Sequence, residues 1–404
     1  MKILILTQYY TPENTLISPT PARALQAKGH EIRVLTGYPN YPEGRLFDGY
    51  KQRWRSWETV DGVQVMRVPL FADHSQTPIR RIANYSSFAF SSASARSLAR
   101  WADVVYVYAT QMTPALGPWL WRLAGGAPYV LHVQDLWPDS ITGSSLVGTG
   151  VTSRVIERAL KPWLTSVYSR AGGVIGIAPT MVATLLERGS PPARTHLVYN
   201  WAEEDSIGPC PTGLAAEQPQ GARILYGGNV GDMQDLDTVV TAAHRAAHAG
   251  VELAIVGSGI ALPRIRALAD SLGATNVTFH GRVPRAKMSS YYAWCDFAVV
   301  SLKDLPNFRG TVPSKLQASL SHGTPVIVTV QGDVRAIVDS LGVGFAADAE
   351  DVDSLKEAFV MAADLSAAEL AAMRARARSA YVSEFSASAG IASLERVLLT
   401  ASAL

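Results

Sequence analysis

Short runs of aliphatic and β-branched residues alternate with amphipathic stretches along nearly the whole chain, the pattern of βαβ units and a parallel sheet. In the first half, apolar runs at residues 2–7, 31–36, 63–68, 104–107, 129–133, 173–177 and 196–199 predict strands. Helices are expected over 19–28, closed by Gly29, over a long basic stretch 79–101, and over 153–170. Residues 207–221 are rich in proline and glycine, lack periodicity, and read as a linker. A second series follows, with strands at 223–226, 252–256, 277–280, 297–301 and 325–328, a short one near Gly344-Phe345, and a helical tail over 368–399. The expected organisation is a Rossmann-like domain over 1–206, the linker 207–221, a second Rossmann-like domain over 222–385, and a helix over 386–404 returning to the first domain. Two doubly wound domains would open a cleft at the carboxyl ends of their strands, where such sheets bind ligands.

Composition narrows this only slightly. The chain of 404 residues is 48% hydrophobic and 17% charged, enough to bury a large core in two or three domains. No apolar run reaches the roughly 18 residues of a membrane span, and the opening stretch lacks a signal peptide's cleavage pattern. A cytoplasmic protein is expected. Cys210 and Cys295 have no CxxC spacing, so neither a disulfide framework nor a zinc site is indicated. Residues 1–200 carry 20 Lys+Arg against 12 Asp+Glu, and residues 201–404 carry 16 against 22, so the halves are +8 and −6 within a net +2. The basic half suits either an anionic partner, such as the inner face of a membrane or a phosphorylated acceptor, or ordinary surface variation. Nucleic acid is not an expected partner.

Three segments of the second half could hold an anion. Gly227-Gly228-Asn229-Val230-Gly231 follows the first strand there, and Gly257-Ser258-Gly259 follows the next. Turns without Cβ atoms let backbone amides approach a diphosphate. In Thr311-Val312-Pro313-Ser314-Lys315 a proline opens a helix, and the amides of Thr311, Val312 and Ser314 are expected to be free beside the Lys315 charge. In the first half, His132, Asp135 and Asp139 leave a buried strand at its carboxyl end, placed to orient a sugar, move a proton or cap a helix. Asp351-Val352-Asp353 reads as a helix cap rather than a metal site.

Taken together, Gly29-His30-Glu31, Gly37-Tyr38-Pro39-Asn40-Tyr41-Pro42, the run His132 to Ser140 (HVQDLWPDS), Tyr226-x-Gly228-Asn229-x-Gly231, Gly257-Ser258-Gly259, Phe279-His280-Gly281-Arg282-Val283 and Val312-Pro313-Ser314-Lys315 resemble family 4 glycosyltransferases. The chain looks most like the branch that builds O-antigen and capsule repeats, typified by N-acetylfucosamine transferases. The resemblance implies a GT-B fold, two facing Rossmann-like doubly wound α/β domains with a C-terminal helical tail. It also implies a retaining transfer without metal or cofactor, from a UDP-linked sugar held by the second domain to a glycan, lipid-linked or small-molecule acceptor. The catalytic residues would be His132, Asp135 and Lys315. Gly228, Asn229, Gly231, Gly257, Ser258, Gly259, Arg282, Thr311, Val312, Ser314, Gln317 and Asp333 would hold the donor. Asn14, Tyr38, Asn40 and Asp139 would meet the acceptor.

The chain departs from the family pattern at several places. Two glutamates that hold the donor sugar and the ribose in many members align with Gly310 and Ala318, and Asp232 and Gln234 stand where a basic pair is usual. Arg309 or Lys303 could supply the missing charge. These losses leave open a second class, a degenerate GT-B protein that only binds a sugar nucleotide; an epimerase on the same fold fits less well. On the stretch 79–101, Arg80, Arg81, Arg96 and Arg100 interleave with Tyr85, Phe88 and Phe90, which suits either packing on the sheet or rest on an anionic membrane.

Overall fold

The structure is a computed structural model and describes residues 1–13, 19–73, 77–137, 151–201 and 221–404. Asn14, Asp139 and nearly all of the expected linker lie outside the described residues. The chain forms two compact units, Met1–Tyr199 with Gly390–Leu404, and Asn200–Ala389.

In the first unit, eight strands lie in the order β3-β4-β2-β1-β5-β6-β7-β8. They are β1 (Lys2–Leu6), β2 (Glu31–Gly37), β3 (Ser56–Val60), β4 (Val63–Val68), β5 (Val104–Ala109), β6 (Tyr129–Val133), β7 (Gly173–Gly176) and β8 (Thr195–Leu197). All pairings are parallel except β3 with β4. The central strands β5 and β6 are buried along their whole length, as near-continuous apolar runs in a helix-covered parallel sheet must be. β3 was not expected: SWETV alternates half-buried and exposed positions and reads as loop. It pairs because Asp61 and Gly62 both take positive φ and turn a two-residue hairpin onto β4.

The helices of this unit are α1 (Pro19–Ala27), α2 (Pro78–Ala93), α3 (Arg96–Trp101), α4 (Leu116–Leu123), α5 (Val151–Arg170) and α6 (Pro179–Glu187). The single long helix expected over 79–101 is two. The hydroxyls of Ser91, Ser92 and Ser94 each donate to the carbonyl three residues back, competing with the helical ladder where it ends at Ser94 and Ala95.

The second unit holds β9 (Arg223–Gly227), β10 (Glu252–Val256), β11 (Val277–Gly281), β12 (Phe297–Val300), β13 (Val326–Val328) and β14 (Gly344–Ala346), all parallel, in the order β11-β10-β9-β12-β13-β14. The order reverses between β9 and β12, the switch point at which doubly wound sheets bind ligands outside their carboxyl ends. Its helices are α7 (Leu236–Arg245), α8 (Leu262–Leu272), α9 (Met288–Trp294), α10 (Ser314–Ser321), α11 (Asp333–Leu341), α12 (Val352–Ala363) and α13 (Ala367–Ala380). Asp351 accepts from the amides of Asp353 and Ser354 at 2.9 and 3.0 Å and so caps α12, as its sequence position suggested.

The tail is not one helix. After α13 a five-residue π turn, Tyr381–Phe385, leads to α14 (Ala387–Ser402). Most of α14 packs in the first unit, where Glu395 bridges Lys28 at 2.6 Å and His30 at 2.9 Å. Gly172 and Gly173 admit it, since a Cβ on either would lie 2.9 Å from Ala401 or 2.6 Å from Val397.

Candidate functional site

The best-formed candidate site lies in the second unit at the carboxyl ends of β9 and β10. Three turns are sewn together by backbone hydrogen bonds. Gly228 N donates to Val256 O at 2.9 Å, Val230 N to Ser258 O at 3.0 Å, and Gly257 N to Gly281 O at 2.8 Å. Side chains would forbid this stacking. A Cβ on Gly257 (φ +155) would sit 1.7 Å from Gly228 O, and one on Gly259 would sit 2.2 Å from Val230 O. These glycines therefore fix loop against loop, a role separate from admitting a ligand. Gly231 also has its amide engaged, by the Gln234 side chain at 3.0 Å. The amides of Asn229, Ser258 and Gly259 remain without a protein acceptor among the described residues.

α10 points its N-terminus at the same place. Leu316 N bonds Pro313 O, leaving the Ser314 and Lys315 amides unbonded, as the first turn of a helix must. Thr311 differs from expectation, since its amide donates to Phe308 O at 3.1 Å. Lys315 lies across the glycine turn. A Cβ on Gly228 (φ +136) would meet Lys315 Cε at 2.7 Å. The ammonium sits 3.9 Å from the centre of the Tyr226 ring and donates to the Tyr226 hydroxyl. That hydroxyl in turn donates to Asn229 O. Burial, with no neighbouring carboxylate to offset it, lowers the Lys315 pKa to about 7. Burial likewise raises the Tyr226 pKa, so the hydroxyl stays neutral.

The other expected donor contacts scatter. Arg282 is exposed just past β11, and Ser314 is exposed at the start of α10. Gln317 is buried on α10, and Asp333 is buried at the start of α11 with its amide on Arg309 O at 2.8 Å. Asp304 holds the Arg309 guanidinium in a two-point ion pair at 3.0 and 2.7 Å.

In the first unit, the carboxyl edge of the sheet is a closed polar network. Buried Glu13 accepts from the amides of Asn40 (2.8 Å), Tyr41 (2.9 Å) and Tyr10 (3.1 Å). Arg67, fully buried, reaches Glu58, the Gly37 carbonyl and the Thr11 carbonyl. These two residues tie the segments after β1 and β2 together. Asn40 and Tyr38, expected to touch the acceptor, are spent inside this brace. Asn40 Nδ2 donates to Tyr38 O at 2.8 Å, and the Tyr38 hydroxyl meets Ser56 Oγ at 2.7 Å. Both can shape a neighbouring surface without contacting what binds there. The groups left half-open at this edge are instead Tyr9 and Tyr41, 5.3 Å apart, and Tyr85, which takes a hydrogen bond from Arg81 and packs on Trp137 at 5.9 Å.

His132 on β6 is fully buried. Its Nδ1 pairs with the Tyr106 hydroxyl at 2.7 Å, Tyr108 stands edge-on at 5.7 Å, and Nε2 has no partner. Burial lowers its pKa to about 3, so it is a neutral imidazole near pH 7 and cannot carry a proton there as an imidazolium. Asp135 stands at the exposed rim, yet the protein around it raises its carboxyl pKa by desolvation.

Sequence reading missed the roles of Tyr226, Glu13, Arg67 and Tyr106. The signal available for Tyr226 was a hydroxyl-bearing residue at the end of the otherwise apolar run Ile224-Leu225.

Residues 21–201 match the glycosyl transferase 4-like domain, and residues 221–364 match the glycosyl transferases group 1 domain. The chain is a family 4-like glycosyltransferase. Among curated proteins it is 27% identical over 379 residues to WcaI of Escherichia coli strain K12, named as a colanic acid biosynthesis glycosyl transferase. That match covers 88% of this chain and 90% of WcaI. It is also 27% identical over 235 residues to the glycosyltransferase WbjE of Pseudomonas aeruginosa, covering 56% of this chain and 57% of WbjE. Among solved structures, the sucrose-phosphate synthase of Thermosynechococcus elongatus matches with a TM-score of 0.67 at 16% identity, over 98% of each chain. Anabaena HepE with UDP and glucose matches with a TM-score of 0.63 at 14% identity, over 99% of this chain and all of that one. The fold of this glycosyltransferase is GT-B.

If the glycine turns interlock as described, Gly257→Ala should cost about 2–3 kcal/mol, the range for forcing atoms into a filled space. Thermal unfolding should show a fall of roughly 5–10 °C, while Ser258→Ala at the exposed neighbour should be close to neutral. Equal melting temperatures for the two variants would contradict the interlock.

Proposed function

We propose that the chain moves a sugar from a nucleoside diphosphate carrier to a glycan acceptor. The donor's diphosphate would be met in the second unit by Lys315 and by the unbonded amides of Asn229, Ser258, Gly259, Ser314 and Lys315. The observation that carries this reading is a half-buried, desolvated ammonium with no carboxylate beside it among the described residues, laid over a glycine turn at the sheet's switch point. An anion is the partner such a group lacks. The structural relative HepE is described with UDP, with UDP and glucose, and with UDP-glucose, which supports a uridine carrier here. WcaI's assignment to colanic acid biosynthesis supports a polysaccharide acceptor.

In the reaction the bond between the anomeric carbon and the diphosphate oxygen breaks, the acceptor hydroxyl oxygen forms its bond to that carbon, and the hydroxyl proton passes to the departing diphosphate. Negative charge grows on the leaving diphosphate. Preorganised donors aimed at that charge lower the barrier, each contributing about 3–4 kcal/mol in comparable oxyanion sites. Transfer without a metal ion and retention of configuration are part of the proposal through the resemblance to family 4. The degenerate reading, motivated by Gly310 and Ala318, is not favoured, because Lys315 and the unbonded amides of Asn229, Ser258 and Gly259 still offer donors to an anion.

Lys315→Ala should cut donor hydrolysis and transfer by about 10²–10³-fold. Its melting temperature should stay near that of the parent, since removing a buried, weakly basic amine relieves desolvation. Steady-state turnover with UDP-glucose as probe, beside a thermal melt, reads both; near-parental turnover would remove Lys315 from the mechanism.

The pH dependence follows from the same burial. The free protein holds Lys315 at a pKa of about 7, and a bound diphosphate favours the ammonium and raises that value. UDP affinity should therefore weaken up to tenfold per unit above pH 7, with proton uptake on binding at pH 8. Calorimetry in two buffers of different ionisation enthalpy measures that uptake, and none at pH 8 would contradict the assignment.

One observation favours a lipid-linked acceptor. Ile79, Ile82 and Phe90 on α2 are 77%, 55% and 69% exposed, and their spacing sets them on one face of the helix. α2 and α3 carry Arg80, Arg81, Arg96 and Arg100 and no acidic residue. Phe88, by contrast, is fully buried, so α2 both packs on the sheet and keeps an outer apolar row. An apolar row beside arginines is complementary to an anionic bilayer. The chain should float with phosphatidylglycerol vesicles and not with neutral ones, and Ile82→Glu with Phe90→Glu should abolish flotation; equal recovery on both vesicle types would count against it.

A further inference from the structure

We infer that Tyr226 is a positioning residue for Lys315: its hydroxyl holds the ammonium over the Gly228 turn with two N–H bonds left over for the donor's diphosphate. The inference rests on the proposed role of Lys315 in binding that diphosphate.

Tyr226 is fully buried on β9, directly before the glycine turn. A buried hydroxyl is costly unless hydrogen-bonded, and a phenylalanine would fill the same space without that cost. Here the hydroxyl has two uses. Its one proton goes to the Asn229 carbonyl, three residues along the same chain. Facing Lys315 it can therefore only accept, and Lys315 Nζ donates to it. One of the three ammonium N–H bonds is thereby fixed in direction, and the ring beneath supplies a face 3.9 Å away that favours a cation.

A carboxylate in this place would hold the lysine equally well but cancel its charge. A neutral acceptor fixes direction and leaves the positive charge whole. A lysine side chain has about 2 kcal/mol of rotamer entropy to lose on ordering, and in this arrangement the loss is borne before the ligand arrives. The Asn229 carbonyl completes the device. Drawn toward Tyr226, it fixes the peptide between Asn229 and Val230, whose amide donates to Ser258 O at 3.0 Å, so lysine and turn are held by one oxygen.

Among the described residues, Tyr226 is the titratable group in contact with Lys315. α10 adds no charge beside it, because its other residues are Ser314, Leu316, Gln317, Ala318, Ser319, Leu320 and Ser321. The glycine turn adds none, and β10 ends on Val256. Loss of the tyrosine oxygen therefore removes a group that favours the ammonium, and the lysine becomes easier to deprotonate.

The experiment uses the full chain and UDP as probe, with calorimetry from pH 6 to 9 on the parent, Tyr226→Phe, Lys315→Met and the double variant. Tyr226→Phe should bind UDP about tenfold more weakly at pH 7.5. The pH at which affinity breaks should move down by half a unit or more, with uridine binding and melting temperature close to parental. In the Lys315→Met background the same change should have no further effect on UDP, because Tyr226 acts through the lysine. If Tyr226→Phe leaves the affinity and break of UDP binding unchanged, or weakens uridine and UDP equally, the inference fails. So does an equal loss in the Lys315→Met background. Should Tyr226→Phe not fold, 3-fluorotyrosine at this position keeps size and bonding with a weaker acceptor oxygen. It should move the break the same way by less, and an unmoved break would overturn the proposal. Failure of the parent to bind UDP would instead sink the site reading itself, and a parent break that vanishes in Lys315→Met but persists unmoved in Tyr226→Phe would sink this inference alone.

Discussion

Everything proposed for the second unit depends on a lysine ammonium buried without a counter-charge. Such a group costs the fold free energy. Its folded pKa of about 7 lies below the ordinary value of 10.5, so the unfolded chain binds the proton more tightly. The cost is absent above the ordinary value, grows as pH falls through the interval, and is fully present below about 7. A protein gains nothing in stability from this arrangement. A ligand that brings negative charge reverses the sign, because the desolvation already borne makes each new electrostatic contact stronger. The instability of the empty site and the strength of the filled one have a single cause.

The lysine can lie where it does only because the turn beneath it has no side chains. Gly228 gives way to the lysine stem, Gly257 to the Gly228 carbonyl, and Gly259 to the Val230 carbonyl. The same device recurs beyond β12, where a Cβ on Gly332 would meet the Arg309 carbonyl at 2.2 Å and the Asp333 amide bonds that carbonyl instead. Loop is stacked on loop along the carboxyl edge of the second sheet. Reading these glycines only as room for a phosphate underestimates them. Several of their amides are used in holding the loops, and the ones left over are few and fixed in place.

How much of this was legible in the sequence differs by level. The alternation of buried runs and amphipathic stretches gave both sheets, because parallel strands are marked by continuous burial and that is a local property. β3 escaped because its burial alternates and its pairing depends on the Asp61-Gly62 turn. The break between α2 and α3 escaped because it arises from serine hydroxyls competing for helix carbonyls, in a stretch whose apolar period runs on. At the site, Lys315 was conspicuous as a charge in an uncharged helix. Tyr226, Glu13 and Arg67 were not, since their roles consist of bonds between segments far apart in sequence. Tyr38 and Asn40 mislead for the same reason: a polar residue at a strand end can serve a ligand or brace a loop, and only the partners decide.

The electrostatic demands of the reaction then fall on few groups. Arg309 is committed to Asp304, Asp232 and Gln234 replace the usual basic pair, and His132 is a neutral imidazole that can offer a hydrogen bond but no charge. Directly over the glycine turn, among the described residues, Lys315 and a handful of amides are left to meet a developing diphosphate. A lone flexible lysine would be a poor choice, because half of its benefit would be lost in ordering it. Fixed by one hydroxyl, above one ring and against one glycine, it becomes a preorganised donor. A charge that meets a developing diphosphate serves best when it is held still, and the packing of Tyr226 and Gly228 around Lys315 is the part of this structure that meets that requirement.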